Sequence, residues 1–265
     1  MCLTVLLVLG GPARAQSQRV LAISEGTSGG LDHARAIAKY QDLANLIGDV
    51  LKTKVSVVFI REFATLENGM KEGKFDFVMA RPSDYPARGM RDDGYHYLAN
   101  AMPDGQCLIV VPKNSPLKTL ADARGKRFAM PEQVSYMSRF CRAALRDHGI
   151  DLSKENVQYV REQAAVTFYM ENRFADVGAI ASYSGPAKSL DKDGFRILHS
   201  SVTQPYFPLV AHARFKPEHL KAIQLSLASL SEKPGGPEIL RRIGIAAFDA
   251  GAEERMKSLL AWLEK

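Results

Sequence analysis

The chain has 265 residues, of which 46% are hydrophobic and 24% are charged, and its formal net charge is +6. This composition is typical of a globular protein, and the length provides core for one large domain or for two lobes. The basic residues are scattered along the sequence and no nucleic-acid-binding motif accompanies them, which argues against a nucleic-acid partner.

The first segment has the pattern of a secretory signal. A short apolar run at 2–9 is followed by Ala13-Arg14-Ala15, which predicts a signal peptide at 1–15 and a mature chain that begins at Gln16. The run is too short to span a membrane. Cys2 precedes the run, whereas the cysteine of a lipoprotein follows it, so lipidation is not expected. The pattern predicts an exported protein.

Strand and helix patterns then alternate along the chain. Apolar, β-branched runs predict strands at 20–23, 55–59 and 75–79, and helical spacing predicts helices at 31–52 and 64–73. This alternation predicts an α/β fold with parallel strands and crossover helices.

The same alternation repeats after an apolar strand at 108–111. The predicted elements are strands at 128–130, 157–160 and 177–180, and helices at 138–148 and 164–173. No glycine-rich linker separates the two copies, so we expect two lobes joined by crossing strands. Lobe one is predicted at 16–107 plus 205–265, and lobe two at 108–204. The helical tail from 217 onward is expected to pack on lobe one.

This order of elements resembles a known family, the periplasmic phosphate-, phosphite- and phosphonate-binding proteins of ABC transporters. The segment 111–126, VPKNSPLKTLADARGK, is similar to the family's entry into lobe two. YQDLA at 40–44, GKFDF at 73–77 and RPSDY at 81–85 resemble its first helix, a strand and a turn. The resemblance covers about 20–248. It implies a type II periplasmic-binding-protein fold, each lobe a mainly parallel sheet flanked by helices, with the ligand in the interlobe cleft.

The resemblance also implies where ligand contacts lie. The positions that match are Phe63, Ser135, Tyr136, Gln163, Tyr183 and Phe207. In the family, one loop binds phosphoryl oxygens through hydroxyls and helix N-terminal amides, and only Ser135 keeps a small hydroxyl there. Tyr183 and Phe207 replace acidic residues that would hold the ammonium of an aminoalkyl phosphonate. The cleft is therefore expected to be more aromatic and to suit a solute with an apolar part, although these rings could instead pack between the lobes.

Two further residues have alternative interpretations. Arg81, at the end of a strand, could bind an oxyanion through its planar guanidinium or could pair with Asp84 or Glu25. Cys107 corresponds to a cleft-facing serine of the family, and a thiolate there would coordinate a soft solute. The alternative is a plain buried side chain. Cys141 is expected to be structural. An exported protein can form a disulfide between two such cysteines, and the sequence does not determine whether they are reduced or oxidised.

The predicted function is capture of a small oxyanion, phosphonate- or phosphite-like, in the periplasm for an inner-membrane ABC permease. The alternative is a periplasmic sensor of arsenite, which uses Cys107 and signals to a membrane histidine kinase. We expect a monomer that uses no cofactor. A metal site is not expected either, because the histidines show no metal-ligand spacing. Catalysis is not expected, since no nucleophile with a positioned base can be identified.

Overall fold

The computed structural model describes residues 18–28 and 32–265, so the predicted signal peptide at 1–15 lies outside the described residues. The strands in chain order are β1 (Arg19–Ser24), β2 (Val55–Phe59), β3 (Phe77–Ala80), β4 (Tyr95–Met102), β5 (Cys107–Pro112), β6 (Arg127–Pro131), β7 (Asn156–Val160), β8 (Val177–Ala181), β9 (Phe195–Ser200), β10 (Pro208–His212) and β11 (Ala247–Asp249). The α-helices are α1 (His33–Leu51), α2 (Phe63–Lys71), α3 (Asp84–Asp92), α4 (Tyr136–Asp147), α5 (Gln163–Glu171), α6 (Gly185–Ser189), α7 (Pro217–Ala228), α8 (Gly236–Ile243) and α9 (Glu253–Leu263). Their alternation confirms the predicted α/β class.

Within the described residues, strands from both ends of the chain form a six-stranded sheet in the order β11-β4-β10-β3-β1-β2. β1 lies parallel to β2 and β3, whereas β10 lies antiparallel to β3 and β4. Alternate residues of β1 face opposite layers, since Leu21 and Ile23 pack with α1 while Ala22 packs with α2. Burial on both faces explains why this strand is a continuous apolar run. We call this sheet and its helices lobe one.

The middle of the chain forms a five-stranded sheet in the order β7-β6-β8-β5-β9, which with its helices we call lobe two. β6 lies parallel to β7 and β8, whereas β5 lies antiparallel to β8 and β9. Leu108 and Val110 pack with α5, and Ile109 packs on the α4 side. Both sheets are mixed. The predicted parallel core of each is extended by antiparallel strands, among them the four that flank the crossings between the lobes.

The chain crosses between the sheets at 103–106 and again at 201–207. The two crossing segments pair with each other, since the backbone N–H groups of Gly105 and Gln204 each donate to the other's carbonyl at 2.8 Å. A Cβ at Gly105 would lie 2.7 Å from the Tyr183 ring, so this close approach requires glycine. The predicted lobe boundary after 107 lies beside the first crossing segment and the boundary after 204 lies within the second, and both stay a prediction.

The C-terminal tail packs on lobe one, as α7 contacts α1 and β4, and α8 contacts α1. α9 contacts α3 of lobe one and also α4 of lobe two, where the Trp262 indole N–H donates to Asp147 at 2.6 Å. The last helix therefore connects the two lobes. In the described part of the chain, no helix is both long enough and apolar enough to cross a bilayer.

Candidate ligand-binding site

The candidate site lies between the lobes, where strands end and helices begin. In lobe one, β1 leads into Glu25, β3 leads into Arg81 and α2 begins at Phe63. In lobe two, α4 begins at Tyr136 and α5 at Gln163. Side chains that follow the carboxyl ends of parallel strands converge at one edge of each sheet, and here the two edges face each other. The lining residues are Glu25, Gly26, Thr27, Phe63, Arg81, Pro82, Ser135, Tyr136, Met137, Gln163 and Tyr183.

These residues enclose what we call the inner cavity. The predicted positions along its wall are Phe63, Arg81, Ser135, Tyr136, Gln163 and Tyr183. The space between them measures about 10 Å³, which is roughly the volume required by one water molecule. An organic ligand therefore enters only if the lobes separate or the lining side chains move.

Arg81 is the principal cation of the inner cavity and is only 8% exposed. Its guanidinium carbon lies 5.5 Å from the ring centroid of Tyr183 and 5.1 Å from that of Phe207. Contacts of this kind attract a cation to the ring face. Burial is the largest influence and opposes the charge, but the carboxylate of Glu25 and the surrounding tyrosines together outweigh burial, so the pKa of Arg81 is raised. Arg81 is therefore a fixed positive charge in a site with little water.

Glu25 supplies the negative charge beside Arg81 and is 3% exposed. Its Oε1 accepts hydrogen bonds of 2.5 Å from the Lys39 ammonium and from the Tyr40 hydroxyl. Burial raises the pKa of Glu25, but Arg81 and Lys39 outweigh burial and hold that pKa below its usual value. Of the two partners predicted for Arg81, Glu25 is thus the one coupled to it. Asp84 interacts with other arginines.

The start of α4 forms the opposite wall. Ser135 is the N-cap residue, and its hydroxyl accepts from the backbone N–H of Ser138 at 3.2 Å. The backbone N–H groups of the first helical turn lack partners inside the helix, so they favour an anion at this end. The Tyr136 hydroxyl donates to the carbonyl of Pro205 at 3.0 Å, which ties the helix start to the second crossing segment.

Gln163 connects the lobes across the inner cavity and is 2% exposed. Its Oε1 accepts from the backbone N–H of Ala181 at 2.6 Å, which fixes the orientation of the amide. The Nε2 donates to the Thr27 hydroxyl of lobe one at 3.4 Å. The amide therefore presents hydrogen-bond donors, rather than an acceptor, toward the opposite lobe.

Phe207 occupies a different place from the one predicted. It is fully buried beneath Arg81, and its ring packs edge-on against Tyr40 at 6.2 Å. It does not line the inner cavity. The neighbouring Tyr206 instead stacks on Tyr183 with ring centroids 4.0 Å apart. Phe207 thus reaches a ligand only through its contact with Arg81.

Cys107 forms a disulfide with Cys141, with the two Cα atoms 5.3 Å apart. Both residues are fully buried. Cys107, the first residue of β5, faces α4, which carries Cys141, and does not face the cleft. The structural role expected for Cys141 is confirmed. The disulfide, which the sequence left open, is present. Cys107 offers no thiolate to a solute, so the structure does not support the arsenite-sensor hypothesis that depends on it.

A larger space, which we call the outer chamber, adjoins the inner cavity and measures about 450 Å³. The two spaces share Glu25, Gly26, Thr27 and Phe63. The outer chamber is further lined by Phe59, Ile60, Arg61, Glu62, Glu132, Tyr159, Val160, Arg161 and Glu162. Arg161 and Glu62 approach to 3.8 Å across the lobes, but both side chains are 75% exposed, so this pair contributes little. The chamber has room for the organic part of a ligand.

A buried ion cluster also joins the lobes beside the site. Asp84, 1% exposed, accepts from Arg88 of its own helix at 3.2 Å and from Arg139 of α4 at 2.5 Å. Burial raises the pKa of Asp84 in spite of the two arginines. The bond from Arg139 to Asp84 exists only while the lobes are together. We therefore expect it to hold the two lobes together, and we call this bond the latch.

Replacing Arg139 with methionine is expected to favour the open form and to raise the dissociation constant of any ligand that requires closure by about tenfold. The reason is that removal of one partner from a buried ion pair costs about 2 kcal/mol or more, here moderated because Arg88 remains. Small-angle scattering should show a larger radius of gyration for the unliganded variant. Arg142→Met, at an exposed position on the same helix, is the control. Unchanged scattering and unchanged affinity in the Arg139 variant would rule the latch out.

Glu25, Thr27 and Lys39 belong to the site but were not among the predicted ligand positions. The sequence indicates Glu25 only as a partner for Arg81, and no local pattern distinguishes Lys39 from the other polar residues of its helix. The polar loop directly after the first strand was the available sequence signal, since such loops bind ligands in open α/β sheets. Among the described residues, no group of three or more His, Cys, Asp or Glu side chains is arranged to hold a metal ion.

Comparisons with known proteins agree with this architecture. A family model for "ABC transporter, phosphonate, periplasmic substrate-binding protein" matches residues 30–256. The structure is similar to XAC2383 from Xanthomonas citri bound to ATP, with TM-score 0.73, 17% identity, and coverage of 92% of this chain and 97% of that one.

Two further solved structures are similar. PhnD1 from Prochlorococcus marinus in complex with methylphosphonate gives TM-score 0.72 and 13% identity, covering 92% of this chain and 97% of that one. The periplasmic aliphatic sulphonate-binding protein SsuA from Escherichia coli gives TM-score 0.62 and 19% identity, covering 93% and 79%. At these identities the similarity establishes the type II periplasmic-binding-protein fold.

Proposed function

We propose, since this chain belongs to the family of periplasmic substrate-binding proteins of phosphonate ABC transporters, that it captures a small organic oxyanion between its lobes. Members of this family are the substrate-binding components of transport, so the implied partners are a small molecule and a membrane permease. The proposed ligand is a phosphonate or a closely related oxyanion with an apolar substituent. The periplasm, reached through the signal peptide at 1–15, is the proposed location.

The observation that carries this proposal is the buried guanidinium of Arg81 opposite the start of α4. Both border the inner cavity, so one anion between them would receive charged donors from lobe one and helix amides from lobe two. An electrostatic interaction is stronger there than in water, because the surrounding aromatic rings exclude solvent. Gln163 adds a donor from the side.

Ligand capture is proposed to occur by closure about the crossing segments 103–106 and 201–207. In this scheme lobe one comprises 16–107 and 205–265, and lobe two comprises 108–204. A ligand between the lobes stabilises the closed form because it contacts both lobes only in that form. The protein is proposed to act as a monomer whose closed form is recognised by the permease.

The relatives' ligands guide the test. Titration calorimetry on the mature protein would use methylphosphonate, phosphite, phosphate and methanesulfonate, with uncharged dimethyl methylphosphonate as the matched control. At least one organic anion is expected to bind at micromolar level, and a thousandfold excess over its dissociation constant should stabilise the fold by about 4 kcal/mol. Equal binding of the uncharged ester, or no binding of any anion, would contradict the proposal.

A further inference from the structure

We propose that the inner cavity selects ligands with a single negative charge and that Glu25 sets this limit. The inference rests on the proposed function, because it assumes that the ligand is an anion held at Arg81. It concerns the protonation state of that anion, which the fold does not determine. A phosphonate can enter with one charge or two, whereas a sulfonate carries only one.

The first support is the charge balance of the buried groups. Arg81 and Lys39 are positive, with the Lys39 side chain 19% exposed, and Glu25 is negative. The formal sum is +2 − 1 = +1. A monoanion therefore neutralises the site, whereas a dianion leaves one uncompensated negative charge in surroundings with little water. Buried charge without compensation is strongly unfavourable.

The second support is the position of Glu25. It lines both the inner cavity and the outer chamber, so an anion at Arg81 lies next to its carboxylate. The hydrogen bonds from Lys39 and Tyr40 hold the carboxylate in place and prevent it from turning away. A second ligand charge would be repelled at short range. A phosphonate that keeps one proton would instead have an O–H group to donate to an acceptor.

The remaining groups around Glu25 do not change this balance. The site tyrosines stay neutral, because burial raises the pKa values of Tyr40, Tyr136, Tyr183 and Tyr206. Lys188 of α6 approaches Lys39 but is exposed. Asp84 and its two arginines do not line the inner cavity and are not counted. Lys39 does not line it either, but it is counted because its ammonium donates directly to the Glu25 carboxylate. The charged residues of the outer chamber other than Glu25 are exposed or half-buried, namely Arg61, Glu62, Glu132, Arg161 and Glu162, and water screens them.

The test compares methylphosphonate with methanesulfonate from about pH 5 to about pH 9. A phosphonate loses its second proton near neutral pH, as a phosphomonoester does at a pKa of about 6, whereas the sulfonate stays a monoanion. The ratio of the two affinities therefore isolates the ligand's charge from any titration of the protein. In the wild type, methylphosphonate is expected to lose up to about tenfold in relative affinity for each pH unit above its second pKa.

Glu25→Gln raises the formal charge of the site to +2 and should abolish or reverse this slope, while Glu72→Gln, at an exposed position on lobe one, should keep it. The wild-type slope decides the matter even if the Glu25 variant folds poorly. A wild-type affinity for methylphosphonate that rises as its second charge appears would overturn the inference and leave the proposed function standing. If no organic anion binds at any pH, the result would instead contradict the proposed function itself.

Discussion

Replacing Arg81 with methionine is expected to weaken binding of an organic anion by about 30-fold or more. Loss of one partner from a buried, hydrogen-bonded charge pair costs about 2 to 5 kcal/mol, and here the ligand would face Glu25 without the nearer cation. Arg81→Lys keeps the charge but loses the planar pair of donors, so it should fall between the wild type and the methionine variant. Calorimetric dissociation constants measure this order.

Arg142→Met serves as the control because it removes an arginine of similar size from an exposed surface. Thermal unfolding of each variant should accompany the titrations, since Arg81 also packs between two aromatic rings and its loss affects stability as well as binding. An Arg81→Met protein that is folded and binds the anion within a few fold of the wild type would show that the anion lies elsewhere.

Removal of the disulfide is expected to lower the free energy of unfolding by about 4 kcal/mol. The bond closes a loop with a sequence separation of 34, and loop-closure entropy for that length gives this magnitude. The corresponding change in Tm is about 10 °C for a protein of this size. Thermal unfolding of Cys107→Ala/Cys141→Ala against the oxidised wild type measures it.

The disulfide also positions the site. It joins β5, directly after the first crossing segment, to the helix that carries Ser135, Tyr136 and the Arg139 latch. The double variant should therefore bind an organic anion more weakly than the wild type at a temperature where both are folded. Reduction of the wild type should reproduce both effects, and a fully reduced protein with unchanged Tm would contradict this account.

The sequence predicts correctly those strands and helices in which burial follows one regular pattern. The run at 108–111 is buried on both faces of a sheet, so its apolar content alone predicts a strand. The helix that contains Phe140 and Leu145 shows the corresponding 3.6-residue spacing. α3 was missed because it begins in a segment predicted as a turn and contains Pro86, and its exposed face is strongly charged.

Several predicted site residues border the inner cavity, and their place there follows from position along an element, whereas their contact with a ligand stays a prediction. Ser135 and Gln163 follow strands and start helices, so their location at the edge of the sheet follows from chain order. Phe207 lies directly before β10 and is buried in the core with Tyr206, an environment that the order of elements along the chain does not predict. The free thiolate expected at Cys107 is wrong for a different reason. Its environment is set by Cys141, which chain folding brings close and which no local pattern identifies as a neighbour.

The central claim is that Arg81 and the start of α4 hold one anion between the lobes. A crystal structure of the protein with methylphosphonate tests it most directly. The account predicts phosphonate oxygens about 2.7 to 3.2 Å from the Arg81 guanidinium and from backbone N–H groups at the start of α4, with the methyl group toward the aromatic rings. A phosphonate bound only in the outer chamber, against Arg61 or Arg161 and without contact to Arg81, would contradict it.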